Sequence, residues 1–276
     1  MRKLGIIGGV GPMATALFME YIIEMTDAKT DSEHIDMLIH NCPQIPDRTQ
    51  FILGKSTDDP SIKMIDIGKM LEQNGCELIA VPCITANFFY DKVQASLTKP
   101  LLDGVAETSA AINSYNEQFK TSVSSKSGSV AVASCAPPSS NPATNPITKV
   151  GIMATDGTIS SGLFQKALNK YNIDSVVPSP ESQKLVMSLI YDDVKGGRPI
   201  DDKVLKKIKT VSDELWKNGA NIIILGCTEL SVIGRAFNLK EGYVDALRAL
   251  AQTAVVNCGD LKSEFKNIVM PVTSPC

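Results

Sequence analysis

Two passages decide the fold: Leu71-Glu-Gln-Asn-Gly-Cys-Glu-Leu-Ile-Ala-Val-Pro-Cys83 and Leu215-Trp-Lys-Asn-Gly-Ala-Asn-Ile-Ile-Ile-Leu-Gly-Cys227. They align without a gap. Each reads as the end of a helix, an Asn-Gly stop, a buried apolar strand and a cysteine at the strand's carboxyl end. The openings of the two halves match in the same way, Gly5-Ile-Ile-Gly-Gly-Val-Gly11 against Gly151-Ile-Met-Ala-Thr-Asp-Gly157. Working outward, the first half alternates LGIIGG, a helical 13–27, IDMLIHN, a helical 60–74 and LIAVPC. The second half runs VGIMAT, a helix over 160–171, a short SVV strand, helices over 181–195 and 201–218, and NIIILGC. Short apolar runs separated by longer amphipathic stretches are the pattern of parallel βαβ units, so the fold class is α/β, in two lobes related by pseudo-symmetry. The expected division is 1–104 with 235–276 as the first lobe and its returning C-terminal helix, 105–148 as a helix (105–118) and connection, and 149–234 as the second lobe. From Thr121 to Thr148 the composition turns to Ser, Pro, Ala and Asn, with Pro137, Pro138, Pro142 and Pro146. A surface loop or linker is expected there.

The chain has 276 residues, 43% hydrophobic and 21% charged, with 27 Lys+Arg against 30 Asp+Glu and a net charge of -3. That composition suits a protein with a full core and offers no basic footprint for nucleic acid; the run Lys203 to Lys209 has the spacing of a solvated helix face. The N-terminal apolar stretch is broken at once by Gly8, Gly9, Gly11 and Pro12, which is too short for a secretory signal, and no stretch approaches a membrane span. A cytoplasmic protein is expected. Seven scattered cysteines without CxxC or a Cys/His cluster argue for free thiols, against a disulfide framework and against a zinc site. With only two histidines, acid/base chemistry must rest on other side chains.

In α/β sheets ligands bind at the carboxyl ends of the strands, which is where Cys83 and Cys227 fall, one in each lobe. The segments just after them, Thr85-Ala-Asn87-Phe and Thr228-Glu-Leu, read as helix starts with threonine as cap, and a helix N-terminus favours the thiolate. Two opposed, interchangeable acid/base groups suit stereoinversion: one thiolate removes a proton from a carbon next to a carboxylate and the other thiol returns one from the opposite face. The carboxylate needs donors as charge builds on it. The turn around Gly8 to Gly11 (with Gly9 at its bend), the Thr155 to Thr158 turn and the Arg48 guanidinium are the candidates. A formal dinucleotide fingerprint, Gly9-x-Gly11-x-x-Ala14, carries a proline in its turn and lacks an acid closing the second strand, so the glycines are read as room for a carboxylate.

GIIGGVGPMAT at 5–15, Pro46-Asp-Arg48-Thr, VPCITAN at 81–87, ATDGTISSGLFQ at 154–165, Glu181-Ser-Gln183, VMSLIYDDVKGG at 186–197 and GCTEL at 226–230, in this order, resemble the aspartate/glutamate racemase family, amino-acid racemases that work without pyridoxal phosphate. The resemblance covers nearly the whole chain except 121–148. It implies two Rossmann-like lobes with the site in the cleft between them, a homodimer, no cofactor, no metal, and Cys83 and Cys227 as proton-transfer residues. It also implies Arg48 and Lys195 as ligands for a substrate's side-chain acid, with Ile84, Thr85, Ala86, Thr155 and Thr228 around its α-carboxylate. The family commonly has Cys-Asn-Thr-Ala-His where this chain has Cys83-Ile84-Thr85-Ala86-Asn87. Ile84 has no side-chain donor and Asn87 cannot titrate, a change worth one to two decades of activity or a shift of specificity at about 1.5–3 kcal/mol for a hydrogen bond to a charge. Two other readings of the scaffold are a dicarboxylate isomerase or decarboxylase and a non-catalytic small-acid-binding protein.

Overall fold

The computed structural model describes residues 2–126 and 146–271. Its first sheet is centred on β1 (Leu4–Gly8), buried along its whole length and paired in parallel with β2 (Met37–Asn41) on one side and β3 (Leu78–Ala80) on the other. Parallel neighbours need crossovers. α1 (Pro12–Met25), opened by a proline in its first turn, supplies one, and α2 (Arg48–Ile52) and α3 (Pro60–Gln73) lie in the next. α4 (Tyr90–Gln94) and the long α5 (Gly104–Lys126) then lead out of the lobe.

The second sheet has the order β5-β4-β6-β7, all parallel, with β4 (Lys149–Met153) and β6 (Ile222–Leu225) inside and β5 (Asp174–Val176) and β7 (Tyr243–Asp245) at the edges. Its helices are α6 (Asp156–Ser161), α7 (Leu163–Asn169), α8 (Pro180–Ser188), α9 (Asp202–Lys217), α10 (Thr228–Ala236) and α11 (Ala246–Cys258). Strand period decides the layers. Leu4 and Ile6 pack with Phe18 and Ile22 of α1 and with Leu250 and Ala254 of α11, while Ile7 points to Met64, Ile67 and Leu71 of α3. Val150, Ile152, Ile222 and Ile224 meet Ile112 of α5 and Phe164 of α7, whereas Met153, Ile223 and Leu225 meet Val186 of α8 and Val211 and Leu215 of α9.

The α/β class and two parallel sheets match the reading of the repeated passage. Both Asn-Gly stops are present: Asn74 and Asn218 cap α3 and α9, and Gly75 and Gly219 follow at φ 82 and φ 90, where a side chain would be strained. Three details differ. The helix expected over 105–118 continues to Lys126, so the start of the Ser/Pro-rich stretch is helical; 127–145 lie outside the described residues. The helix expected over 160–171 begins earlier, because the Thr155 side chain accepts from the Thr158 amide and caps it, and it breaks at Gly162 into α6 and α7. The helix expected over 181–195 is α8 followed by a π-helical turn over Leu189–Val194, which swings Tyr191 and Lys195 toward the first lobe. No helix among the described residues is long and apolar enough to cross a membrane.

Candidate active site

Three residues past β3 and two past β6, the chain turns from strand to helix at Cys83 and Cys227, only 5% and 4% exposed. The caps expected of Thr85 and Thr228 belong instead to the cysteines: Cys83 is the N-cap of the 3-10 turn Ile84–Phe89 and Cys227 that of α10, neither with a side-chain cap bond. Each sulfur is therefore held at the positive end of a helical turn with its hydrogen-bonding capacity uncommitted to the turn.

Each thiol has a cation beside it. Arg48, the first residue of α2, is buried; its Nη1 donates to the carbonyls of Ile45 (3.3 Å) and Pro46 (3.0 Å), and the guanidinium stands beside Cys83. Burial works against its charge, but Cys83 and then Asp47 outweigh burial, so its pKa rises. On the other side, Lys195 lies with Nζ 4.2 Å from the centre of the Tyr191 ring and 3.9 Å from Oε1 of Glu229. Burial opposes the Lys195 charge too, and Glu229, Cys227 and Tyr191 together overcome it and raise the pKa, with Arg48 pulling the other way. Cys227 donates from Sγ to Oε2 of Glu229 at 2.9 Å. Burial, then the negative charge of Glu229, push this thiol well above its ordinary range; Lys195 pulls it down, and the charge of Cys83 reaches it from the other lobe. The two thiols thus share one electrostatic site.

Hydroxyls close the seam. Thr85 Oγ1 lies 3.0 Å from Thr155 Oγ1 and 3.1 Å from Thr158 Oγ1, and the last two are 3.1 Å apart, a ring of three buried hydroxyls that spans the lobes. Tyr191 of the second lobe donates from its hydroxyl to Oδ2 of Asp47 in the first at 3.1 Å, while Oδ1 of Asp47 accepts from the Gln50 amide and caps α2. Gly11 permits a further close approach: a Cβ there would stand 3.2 Å from Oε1 of Glu229. Outside Tyr191 the lobes part into a groove of about 540 Å³ whose walls include Gln50, Asp156, Gln183, Met187 and Asp192.

The structure therefore brings together Cys83, Cys227, Arg48, Thr85, Thr155, Lys195 and Thr228, the last buried beside Glu229 with Oγ1 3.5 Å from its Oε2. Three expected substrate contacts are placed otherwise. The Gly9 amide donates to Thr15 Oγ1 at 3.0 Å. Ile84 packs its side chain into the core shared with Val105 and Phe164, and Ala86 packs into the first-lobe core, so what either offers a small ligand is confined to its main chain. Asn87 is structural: Nδ2 donates to the Ile84 carbonyl at 2.9 Å and Oδ1 accepts from the Gly104 amide at 3.1 Å, tying the cysteine turn to the start of α5. Asp47, Tyr191 and Glu229 fall within the sequence motifs, but sequence reasoning assigns them no role. The available signals were the i, i+4 spacing of Tyr191 and Lys195, and a carboxylate in the first turn of the helix that starts at Cys227. Among the described residues no group of three or more His, Cys, Asp or Glu is placed to hold a metal ion.

The profile of the Asp/Glu/Hydantoin racemase family matches residues 7–120 and 125–254. The chain belongs to the Asp/Glu/hydantoin racemase family. Among curated relatives of this racemase-family chain, the broad specificity amino-acid racemase RacX of Bacillus subtilis is 26% identical over 258 residues, covering 91% of this chain and 96% of the relative. Among solved structures, the Picrophilus torridus aspartate racemase superposes with a TM-score of 0.73 at 27% identity, covering 97% of this chain and 99% of that one. An aspartate racemase homologue from Pyrococcus horikoshii shares the fold with a TM-score of 0.65 at 20% identity, over 94% of this chain and 99% of the other.

Proposed function

We propose that the protein is a cofactor-independent amino-acid racemase acting on aspartate, glutamate or a related polar amino acid, with Cys83 and Cys227 as the two proton-transfer groups. The observation that carries this reading is the placement of the thiols: each ends a strand in its own lobe, each is nearly buried, and each has a cation beside it, Arg48 at Cys83 and Lys195 at Cys227. The relatives support it through their printed activities, broad specificity amino-acid racemase for one and aspartate racemase for another.

In this reading a substrate enters by the groove outside Tyr191 and binds between the thiols. One sulfur, as thiolate, takes the α-proton, and the electron pair left on Cα spreads onto the α-carboxylate. The hydroxyls of Thr85, Thr155 and Thr228 are the donors at hand for that growing charge. The opposite thiol then gives its proton to the other face of Cα, leaving itself a thiolate. For the reverse enantiomer the roles exchange. Arg48 and Lys195 receive the side-chain acid.

The deciding experiment is α-proton exchange in D2O, followed by proton NMR over a panel of L- and D-amino acids without added cofactor. Deuterium incorporation together with appearance of the opposite enantiomer is expected for at least one acidic or polar amino acid. Silence across the panel, with folded protein and reduced thiols, would sink the proposal. Arg48→Lys should raise the KM for the acidic substrate about tenfold, because an ammonium cannot reproduce a planar, multi-donor grip. A loss confined to kcat, with KM unchanged, would remove Arg48 from substrate binding.

A further inference from the structure

Glu229 is 5% exposed, belongs to the first turn of α10, and among the described residues is the one carboxylate bonded to a cysteine of the site. A carboxylate can only accept, so the contact between Oε2 and Sγ of Cys227 exists only while the sulfur carries its proton. The other oxygen, Oε1, lies 3.9 Å from Lys195 Nζ, and the bare Gly11 leaves it room, since a Cβ there would stand 3.2 Å from it. Among the described residues no carboxylate is hydrogen-bonded to Cys83, whose charged neighbour is the guanidinium of Arg48. The two thiols are therefore chemically unequal although the lobes repeat each other.

We propose that Glu229 is a positioning residue that holds the proton on Cys227 in the resting enzyme, so that the free protein waits with Cys227 as the acid and Cys83 as the base. The assignment rests on the racemase reading for its kinetic meaning, but not for its chemistry. After a turnover that starts at Cys83, the protonation pattern is reversed: Cys83 carries the proton and Cys227 is a thiolate facing Glu229. The charged groups around Cys227 are Glu229 on its own helix, Lys195 at the end of the π-helical turn and Cys83 across the cleft. In the reversed form Cys83 is protonated and adds no charge, so Glu229 is the group that resists charge on Cys227 against the pull of Lys195, and the form relaxes back by returning a proton to Cys227. Because the two enantiomers of an amino acid have equal energy, kcat/KM must be the same in both directions. The asymmetry is thus invisible in that ratio, and it has to be read from half-reactions.

Cys83→Ala leaves Cys227 to exchange the α-proton of one enantiomer, and Cys227→Ala leaves Cys83 to exchange that of the other. In D2O at neutral pH the first variant should wash deuterium into its enantiomer at least about tenfold more slowly than the second does into its own, the size of effect expected when a hydrogen bond to a charged group must be given up to free the base. Adding Glu229→Gln, which keeps an acceptor for the thiol but removes the charge, should speed the Cys83→Ala variant and leave the Cys227→Ala variant unimproved. A merely structural role for Glu229 would not produce a gain. Equal exchange by the two single variants, or no gain from Glu229→Gln, would overturn the assignment. A second measurement needs no substrate: in thiolate ultraviolet absorbance, the step that disappears in Cys227→Ala should lie at lower pH in Glu229→Gln than in the native protein. An unmoved step would also overturn it. If the native protein exchanges no amino acid at all, the racemase reading fails while this titration still decides the role of Glu229.

Discussion

Cys83→Ala and Cys227→Ala are each expected to lower racemisation by roughly 10²–10⁴-fold, the range that a positioned general acid or base contributes, while each keeps exchange of the α-proton of a single enantiomer. The two losses do not compensate one another, because each thiol serves one face of Cα. Both sulfurs are small and buried, so the substitutions should cost only about 1 kcal/mol of stability and the folded protein should be recovered. The measurement is chiral chromatography of product from each enantiomer, with proton NMR of the residual substrate in D2O. Native rates from both variants would end the two-thiol mechanism. Loss of exchange with both enantiomers in both variants would point to a site that needs the pair to bind substrate, and a titration calorimetry measurement with the same amino acids separates that case.

The largest effect on stability is expected far from the thiols, at Asp245. This half-buried carboxylate at the end of β7 accepts from the hydroxyl of Ser231 at 2.6 Å and the amides of Leu247 (2.9 Å) and Arg248 (3.3 Å) through Oδ1, and from the hydroxyl of Tyr21 at 3.0 Å through Oδ2. It caps α11 and at the same time ties α1 of the first lobe to the second sheet. Asp245→Ala strands those donors inside the protein and removes the cap, a combined loss of about 3 kcal/mol or more, seen as a lower midpoint in chemical denaturation. Asp245→Asn keeps one oxygen for the cap and the Ser231 hydroxyl and should lose much less. Equal losses in the two variants would show that the packing around the residue, and not its acceptors, is what matters.

What could be read in the sequence was whatever depends on neighbours along the chain. Asn-Gly stops demand a left-handed glycine, and apolar runs of four or five residues demand a buried parallel strand, so β1, β3, β4 and β6 and the ends of α3 and α9 are legible directly. The cysteines at the ends of β3 and β6 follow from the same pattern. What was not legible depends on contacts between distant residues. The hydroxyl ring joins Thr85 to Thr155 and Thr158, and the Tyr191 to Asp47 bond joins the π-helical turn to α2; no periodicity encodes either. Ile84 and Asn87 show the converse: the motif that carries them says nothing of their neighbours, and contact with α5 puts the first side chain in the core and makes the second a strut. The break at Gly162 and the widened turn at 189–194 are hidden because an amphipathic pattern continues through both.

The layer that covers Leu4 and Ile6 includes Leu247, Leu250, Ala251, Ala254 and Val255, all from the last long helix of the chain. On the ribosome, the residues of β1 and α1 emerge before the residues that bury them, which follow only after the entire second sheet has been synthesised. The lobe built on β1 is thus left with an open apolar flank until α11 is made, and it becomes a finished body only when that helix docks. The first lobe is in this sense sealed by a helix that follows the second sheet, which makes the two lobes one cooperative unit rather than two domains that could be separated or exchanged independently.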